Sequence, residues 1–180
     1  MTGFFFADKH SREFWMAMED ASRPLLPELR RNDYEITGRH GTVDFGGETY
    51  ATRQITVDIC FISDNVTNLQ ETARSISLWL SGSGLLWFDD ECHRAYTAKV
   101  YMGVDTEQLI RAKRASVVFE CQPFARTIHY LQNIHAGVSG GTVIPVESGG
   151  TQPTPCLIFV RNTGSTALTN LRITRRALHR

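Results

Sequence analysis

The densest run of chemistry-bearing side chains in this sequence is Asp89-Asp90-Glu91-Cys92-His93, where carboxylate, thiolate and imidazole, all metal-ligating groups, stand side by side. Converging ligands come from offset positions, such as i and i+4 of a helix, or from separate strands, whereas consecutive residues of a turn point apart. The run therefore reads as an acidic turn, with a metal-dependent hydrolytic site as the alternative. His40 and Asp44 could supply a base and its orienting carboxylate. No nucleophile elbow accompanies them, and the glycine-rich stretch around them is a poor place to hold catalytic geometry, so they are expected in a turn or an interface. Gly137 to Gly141 and Gly149-Gly150 lack the spacing of a phosphate-cradling loop. Trp15, Trp79 and Trp87 could stack on a sugar ring, which makes a carbohydrate-binding module the second alternative. Trp79 falls on a helical stripe and Trp87 in an apolar run, so core positions are the expectation for the tryptophans. No catalytic residue, cofactor or metal ion is expected.

The elements that must carry these residues are legible in the spacing of apolar side chains. Ile55, Val57, Ile59 and Phe61 alternate with Thr56, Asp58 and Cys60, the period of a half-buried strand. After the polar break at Ser63-Asp64-Asn65, Thr67 and Gln70 have the spacing of a capping box. Leu69, Ala73, Ile76 and Leu80, with Trp79 beside them, then form one stripe at helical spacing, and Gly82 supplies a stop. So short a helix cannot stand alone and must lie on the sheet made by its neighbours. Leu85 to Phe88 and the alternating Tyr96, Ala98, Val100 and Met102 predict a hairpin around the acidic turn. Val117, Phe119 and Cys121 predict another strand, ended by Pro123. Asp105 to Arg114 fits a short helix or a loop equally well.

Gly38-Arg39-His40-Gly41-Thr42-Val43-Asp44-Phe45-Gly46-Gly47 is rich in glycine and short of apolar anchors, and reads as an extended arm. Gly46-Gly47 is the expected tight turn, between Thr42 to Phe45 and Glu48 to Ala51. Such a hairpin needs a packing partner outside its own domain. From Gly137 to Pro155 the composition shifts to Gly, Ser, Thr and Pro, which predicts a boundary near Tyr130, with domains at 1–130 and 131–180. Cys156 to Val160 and Leu168 to Ile173 predict two more strands around a turn at Asn162 to Ser165. The fold class expected is mainly β, sandwich-like with one packed helix, and with a partial second β unit at the C-terminus.

Length and charge bound the function. The 180 residues suffice for a full core, and 42% apolar and 21% charged residues are ordinary for a globular protein. With 19 basic against 19 acidic residues there is no net field to draw in a polyanion, and the cluster of Arg172, Arg175, Arg176 and Arg180 lacks interleaved aromatics. Neither sequence-specific nucleic-acid binding nor a membrane is expected. The four cysteines, Cys60, Cys92, Cys121 and Cys156, have no C-x-x-C spacing and read as free thiols, suited to a reducing compartment. Phe4-Phe5-Phe6 is cut off by Asp8 and Lys9 far short of a signal-peptide core.

The ordered set of elements resembles one known family. Phe4-Phe5-Phe6, Pro27, Thr37-Gly38-Arg39-His40-Gly41, Arg53-Gln54-Ile55-Thr56-Val57, a helix ending Trp79-Leu80, Leu85-Leu86-Trp87-Phe88 with its acidic turn, Tyr96 and Ala98, and Phe119-Glu120-Cys121-Gln122-Pro123-Phe124 follow one another as in the distal tail proteins of phages with long, flexible, non-contractile tails. The resemblance covers roughly Met1 to Ala125. It implies a ring-forming N-terminal domain, hexameric in assembly, at the end of the tail tube of the virion, made in the host bacterial cytoplasm. The ring would connect the tail tube protein to a tail-tip or tail-associated hub protein, meet the tape measure protein, and let genomic DNA pass without reading its sequence. The arm from Gly38 to Gly47 would clasp the next subunit. Usual members carry a complete galectin-like or carbohydrate-module-like second domain, of which residues 131–180 would hold only the first strands.

Overall fold

The computed structural model describes residues 2–47, 49–62, 69–102, 112–128, 133–138, 141–147 and 149–176. The chain divides into two compact units, Met1–Leu131 and Gln132–Arg180. Among the described residues of the first unit, ten strands form in chain order: β1 (Phe4–Phe6), β2 (Lys9–His10), β3 (Met16–Ser22), β4 (Asp33–Glu35), β5 (Thr42–Asp44), β6 (Arg53–Phe61), β7 (Ser83–Phe88), β8 (Arg94–Val100), β9 (Arg114–Cys121) and β10 (Arg126–Thr127). Helix α1 (Leu69–Leu80) lies between β6 and β7. The mainly β architecture with one packed helix matches the expectation.

Eight of these strands make one antiparallel sheet in the order β2-β1-β7-β8-β9-β6-β3, with β10 on β8. The strand read from the alternation of Ile55, Val57 and Ile59 is the longest, and all three side chains are fully buried. It pairs with β9 from Arg53↔Cys121 to Cys60↔Arg114, and with β3 from Met16↔Phe61 to Ser22↔Thr56. The sheet curls until its two sides meet. Thr2, at the head of β1, bridges to Met18 of β3, and the Met18 amide donates to the Thr2 carbonyl at 3.0 Å. Curling removes most of the open edge that a flat sheet would leave. It also turns residues of β1, β3, β6, β7 and β9 toward one interior: Phe4, Phe6, Met16, Ile55, Leu86, Phe88, Val117 and Phe119 are each at most 1% exposed.

Helix α1 closes this interior as the apolar stripe requires. Ala73, Ile76, Trp79 and Leu80 are buried while Leu78, off the stripe, is exposed. The Leu69 side chain and the expected cap residue Thr67 lie outside the described residues, as do most of Asp105 to Arg114. Trp79 fixes the helix in place. Its indole nitrogen donates to the Phe6 carbonyl at 2.7 Å, and its ring stacks on Phe14 at 4.5 Å and on Phe4 at 5.7 Å between centroids. Ser81 follows the helix, its amide donating to the Ser77 carbonyl and its hydroxyl to that of Leu78, before the Gly82 stop. The hairpin after it forms with Ser83↔Lys99 to Leu86↔Tyr96 in register around the acidic turn, and Met102 lies beyond the end of β8.

Two expectations are corrected. The arm does fold as a hairpin, but its reversal is not at Gly46-Gly47. β5 pairs backwards with β4, as Asp33↔Asp44, Tyr34↔Val43 and Glu35↔Thr42, so the chain turns between Ile36 and Gly41. Gly38 and Gly41 supply the positive φ that this turn needs, at 85° and 82°. Gly46 serves close approach instead: a Cβ there would stand 2.7 Å from the Asp44 carboxylate and 3.0 Å from the Arg30 carbonyl. The second correction concerns the second unit, which is not a partial β unit among its described residues. Cys156 to Val160 and Leu168 to Ile173 form no strand there, and Leu157 and Phe159 stand 85% and 90% exposed. The turn between them does form, with the Asn162 side-chain amide donating to the Thr166 carbonyl and the Gly164 amide to the Asn162 side-chain oxygen. A strand pair without a further sheet or core to lie on is at best marginal in water, which is why a good strand sequence and a good turn are insufficient. The smaller sheet among the described residues is therefore the arm.

Replacing Trp79 by Phe keeps one aromatic ring in the stack, gives up part of its contact area and deletes the donor to the Phe6 carbonyl. It is expected to lower the unfolding free energy by about 1–3 kcal/mol in a denaturant titration, and an unchanged stability would show that the helix is not pinned through this bond.

Candidate functional site

The acidic turn that offered the best catalytic reading is a clamp. It folds as a single 3₁₀ turn, Asp89–Glu91. Asp89 accepts the Gly3 amide at 2.8 Å and meets the His10 Nε2 at 3.1 Å, tying β1 and β2 to the end of β7. The other His10 ring nitrogen accepts the Arg12 amide, so both faces of the imidazole are engaged. Asp90 receives both terminal nitrogens of Arg23, at 3.1 and 2.5 Å, in a forked pair, and Glu91 takes Arg94 at 3.3 Å. The Arg23 hydrogen bonds hold the Asp90 carboxyl below its ordinary range, and the same contact raises the Arg23 guanidinium. Cys92 and His93 are exposed beside them. Among the described residues no group of three or more His, Cys, Asp or Glu is placed to hold a metal ion.

Arg23 is also the root of the arm. It follows β3 directly, and its guanidinium lies 4.7 Å from the centre of the Phe88 ring. The returning limb is held at the same level by Arg53, which is buried, donates to the Pro24 carbonyl at 3.1 Å and lies 5.4 Å from the Tyr96 ring centre. Its Nε has no partner among the described residues. Between these roots the two limbs run together: the Ala51 amide donates to Glu28, Arg30 to Thr49 and Phe45 to Asn32 before β4 and β5 pair.

The arm is two-faced. Tyr34 and Val43 are opposite each other in register, and Tyr34 meets Phe45 edge-on at 6.3 Å. With Asn32 and Ile36 these rings line an open hollow of about 460 Å³. Tyr34 is 65% and Phe45 64% exposed, and Leu25, Leu26 and Leu29 along the first limb are exposed as well. Asp33, Glu35, Thr42 and Asp44 alternate with them. Of the residues expected to form the interface, Gly38, Arg39, His40 and Gly41 form the apex, Thr42, Val43 and Asp44 the second strand, Phe45 the apolar face, and Gly46 and Gly47 the limb behind it. His40 stands exposed at the apex, and Asp44 spends its carboxylate on the Gly46 amide at 2.6 Å and the Asn32 amide at 3.3 Å, so the two are not a catalytic pair. Residues 23–36 were missed as half of the arm. The signal for them was present in Leu25-Leu26-Pro27 and in the Tyr34, Ile36 alternation, but apolar residues at that density read equally well as core.

A second open hollow, of about 550 Å³, lies over the clamp and is lined by residues that include Phe5, His10, Arg12, Trp87, Asp89 and Cys92. Phe5 and Trp87 stack face to face at 4.7 Å. Trp79 is a core residue as expected. Trp15 is not: it is 59% exposed, because it ends the 3₁₀ turn Ser11–Phe14 in a left-handed conformation with φ 57° and leaves the core to Phe14.

A model of the phage tail protein RIFT-related domain matches residues 18–121, more than half of the chain. The chain belongs to this family. No curated protein sequence matches this tail protein significantly. Among solved structures it is similar to that of the SPP1 Dit (gp 19.1) protein, described as a paradigm of hub adsorption apparatus in Gram-positive infecting phages, with a TM-score of 0.55 and 16% identity. The likeness covers 68% of this chain and 50% of that one, so the tail protein spans about half of that relative's length, and at this identity it speaks for the fold. No described helix of the tail protein is long and apolar enough to cross a membrane.

Because the folded state holds the Asp90 carboxyl below its unfolded value, the clamp contributes stability that is complete above the usual carboxylate range and is lost as pH falls through the depressed folded value. The stability difference between the wild type and Asp90→Asn is therefore expected to be constant from pH 7 to about pH 5 and to shrink below about pH 4, measured by denaturant titration at each pH. A difference that grew toward acid would contradict the Arg23 pairing.

Proposed function

We propose that this protein is a distal tail protein of a siphophage, a structural subunit that forms a hexameric ring at the end of the tail tube and carries no catalytic site. The observation that carries the reading is the arm, an amphipathic two-stranded hairpin whose apolar face is exposed in its own unit. A two-stranded ribbon with one apolar face is stable in water only when a second surface covers that face. Family membership and the likeness in fold to the SPP1 Dit protein support placing that surface in a tail assembly. The ring acts as a hub between the tail tube protein, the tape measure protein and a tail-tip hub protein, and genomic DNA leaves through its channel without base-specific contacts. The balanced charge of the chain agrees with a channel that does not hold its cargo. The subunit is made in the host cytoplasm and resides in the virion.

Arms that differ in direction from the patch they fill generate a head-to-tail contact, which closes into a ring when the rotation fits. Mass measured in solution over a range of concentrations is expected to show a closed multiple of the monomer. Replacing Tyr34, Ile36 and Phe45 together by Ser is expected to weaken self-association tenfold or more while changing the unfolding free energy of the barrel by no more than about 1 kcal/mol, since all three side chains are exposed. A wild-type chain that stays monomeric at every concentration, alone and with tube protein, would overturn the proposal.

A further inference from the structure

Between the barrel and the arm the backbone ladder is broken. The pairing of β3 with β6 ends at Ser22↔Thr56, and the next backbone rung between the two limbs is the Ala51 amide on the Glu28 carbonyl at 2.7 Å. Pro24 and Pro27 stand in the gap and have no amide to give. Among the described residues one hydrogen bond crosses it, from the Arg53 guanidinium to the Pro24 carbonyl at 3.1 Å.

Arg53 is a costly residue to place there. It takes the first inward position of β6, ahead of Ile55, Val57 and Ile59, and is 8% exposed. A guanidinium keeps its charge in a protein interior, and a buried charge with no opposite charge beside it lowers stability. Among the described residues no carboxylate lies within ion-pair distance of Arg53, and its Nε has no partner. Its register partner is Cys121, a thiol that burial pushes up to about 12 and so keeps neutral. The Tyr96 ring, 5.4 Å away, is what faces the cation. Arg23, at the other root, has the forked pair with Asp90 that Arg53 lacks. An apolar side chain would fill the inward position without an unpaired charge. The donor to Pro24 is what the arginine adds.

We infer that Arg53 is the hinge pin of the arm: it bridges the break in the ladder and sets the direction in which the arm leaves the barrel, and its unpaired buried charge makes the barrel less stable than an apolar residue would. Arg23 fixes where the first limb starts, and Arg53 fixes the angle between that limb and the returning one.

Arg53→Met keeps an unbranched apolar stem and removes charge and donor together. The full chain is compared with the wild type at a concentration where mass shows both in the same state of association. The denaturant midpoint of the variant is expected to equal or exceed that of the wild type. Amide exchange in its arm is expected to quicken, about tenfold at Ala51, less at Arg30 and least at Phe45, while the Met18 amide at the barrel seam is unchanged. Arg53→Lys keeps a cation and a donor but is harder to strip of water, and is expected to show the reverse, a lower midpoint with the Ala51 amide still protected. A methionine variant whose midpoint falls, or whose Ala51 and Met18 amides loosen together, shows a plain core residue and overturns the inference. An Ala51 amide that exchanges no faster than in the wild type overturns it as well. Both readouts belong to the single chain, so they separate this role from the closing of a ring.

Discussion

The fold hangs on one short strand. Phe4 and Phe6 of β1 are fully buried, and between them they touch Trp79 of the helix and Phe119 of β9. The backbone of the same strand pairs with β7 on one side, and on the other it shares its hydrogen bonds between β2 and the Thr2 bridge to β3. β1 is thus both the seam that closes the barrel and the surface on which α1 is seated, through the Phe6 carbonyl. Three residues can do this because aromatic side chains cover a large area each and because the backbone of the strand is paired on both sides. The acidic turn belongs to the same device. Asp89 holds the start of β1 by the Gly3 amide, and Asp90 fixes the end of β3 by Arg23, so adjacent carboxylates clamp the two sides of the seam.

Seen from this seam, the polar groups of the acidic turn are already at work in holding the fold. The carboxylates of the turn are spent on Gly3, His10, Arg23 and Arg94. The described residues also leave apolar surface open: the face of the arm, and the exposed aliphatic run of the second unit. Open apolar patches of that size are the kind of surface on which the proposed assembly rests.

Periodicity made the barrel core legible. Ile55 to Phe61, the stripe through Ala73, Ile76 and Leu80, and the Val117 to Cys121 alternation all translate into buried side chains, because a strand or helix with one apolar face has few ways to hide it. The arm was half legible. Glycine content marked Gly38 to Gly47, but which glycines make the turn depends on the register of β4 against β5, and that pairing is set by Tyr34, Val43 and the Asp44 side chain at long range. The clamp was legible as a turn and opaque as a clamp, since Arg23 lies 67 residues from Asp90. Cys156 to Val160 shows the opposite failure. Its composition satisfies the local preference for a strand, and among the described residues of its own unit no partner strand is present to realise it.

The way the arm is rooted has a mechanical meaning. Its two limbs continue directly into β3 and β6, which are themselves paired, and β6 is paired again with β9 over eight consecutive positions. A pull along the strand axis, such as a neighbour gripping the arm would exert, enters the barrel through two strands at once and loads the β6 ladder in shear, where its hydrogen bonds must yield together. A hairpin attached through a loop would instead peel away one bond at a time. The arm is built as a tension member whose anchorage is the core itself.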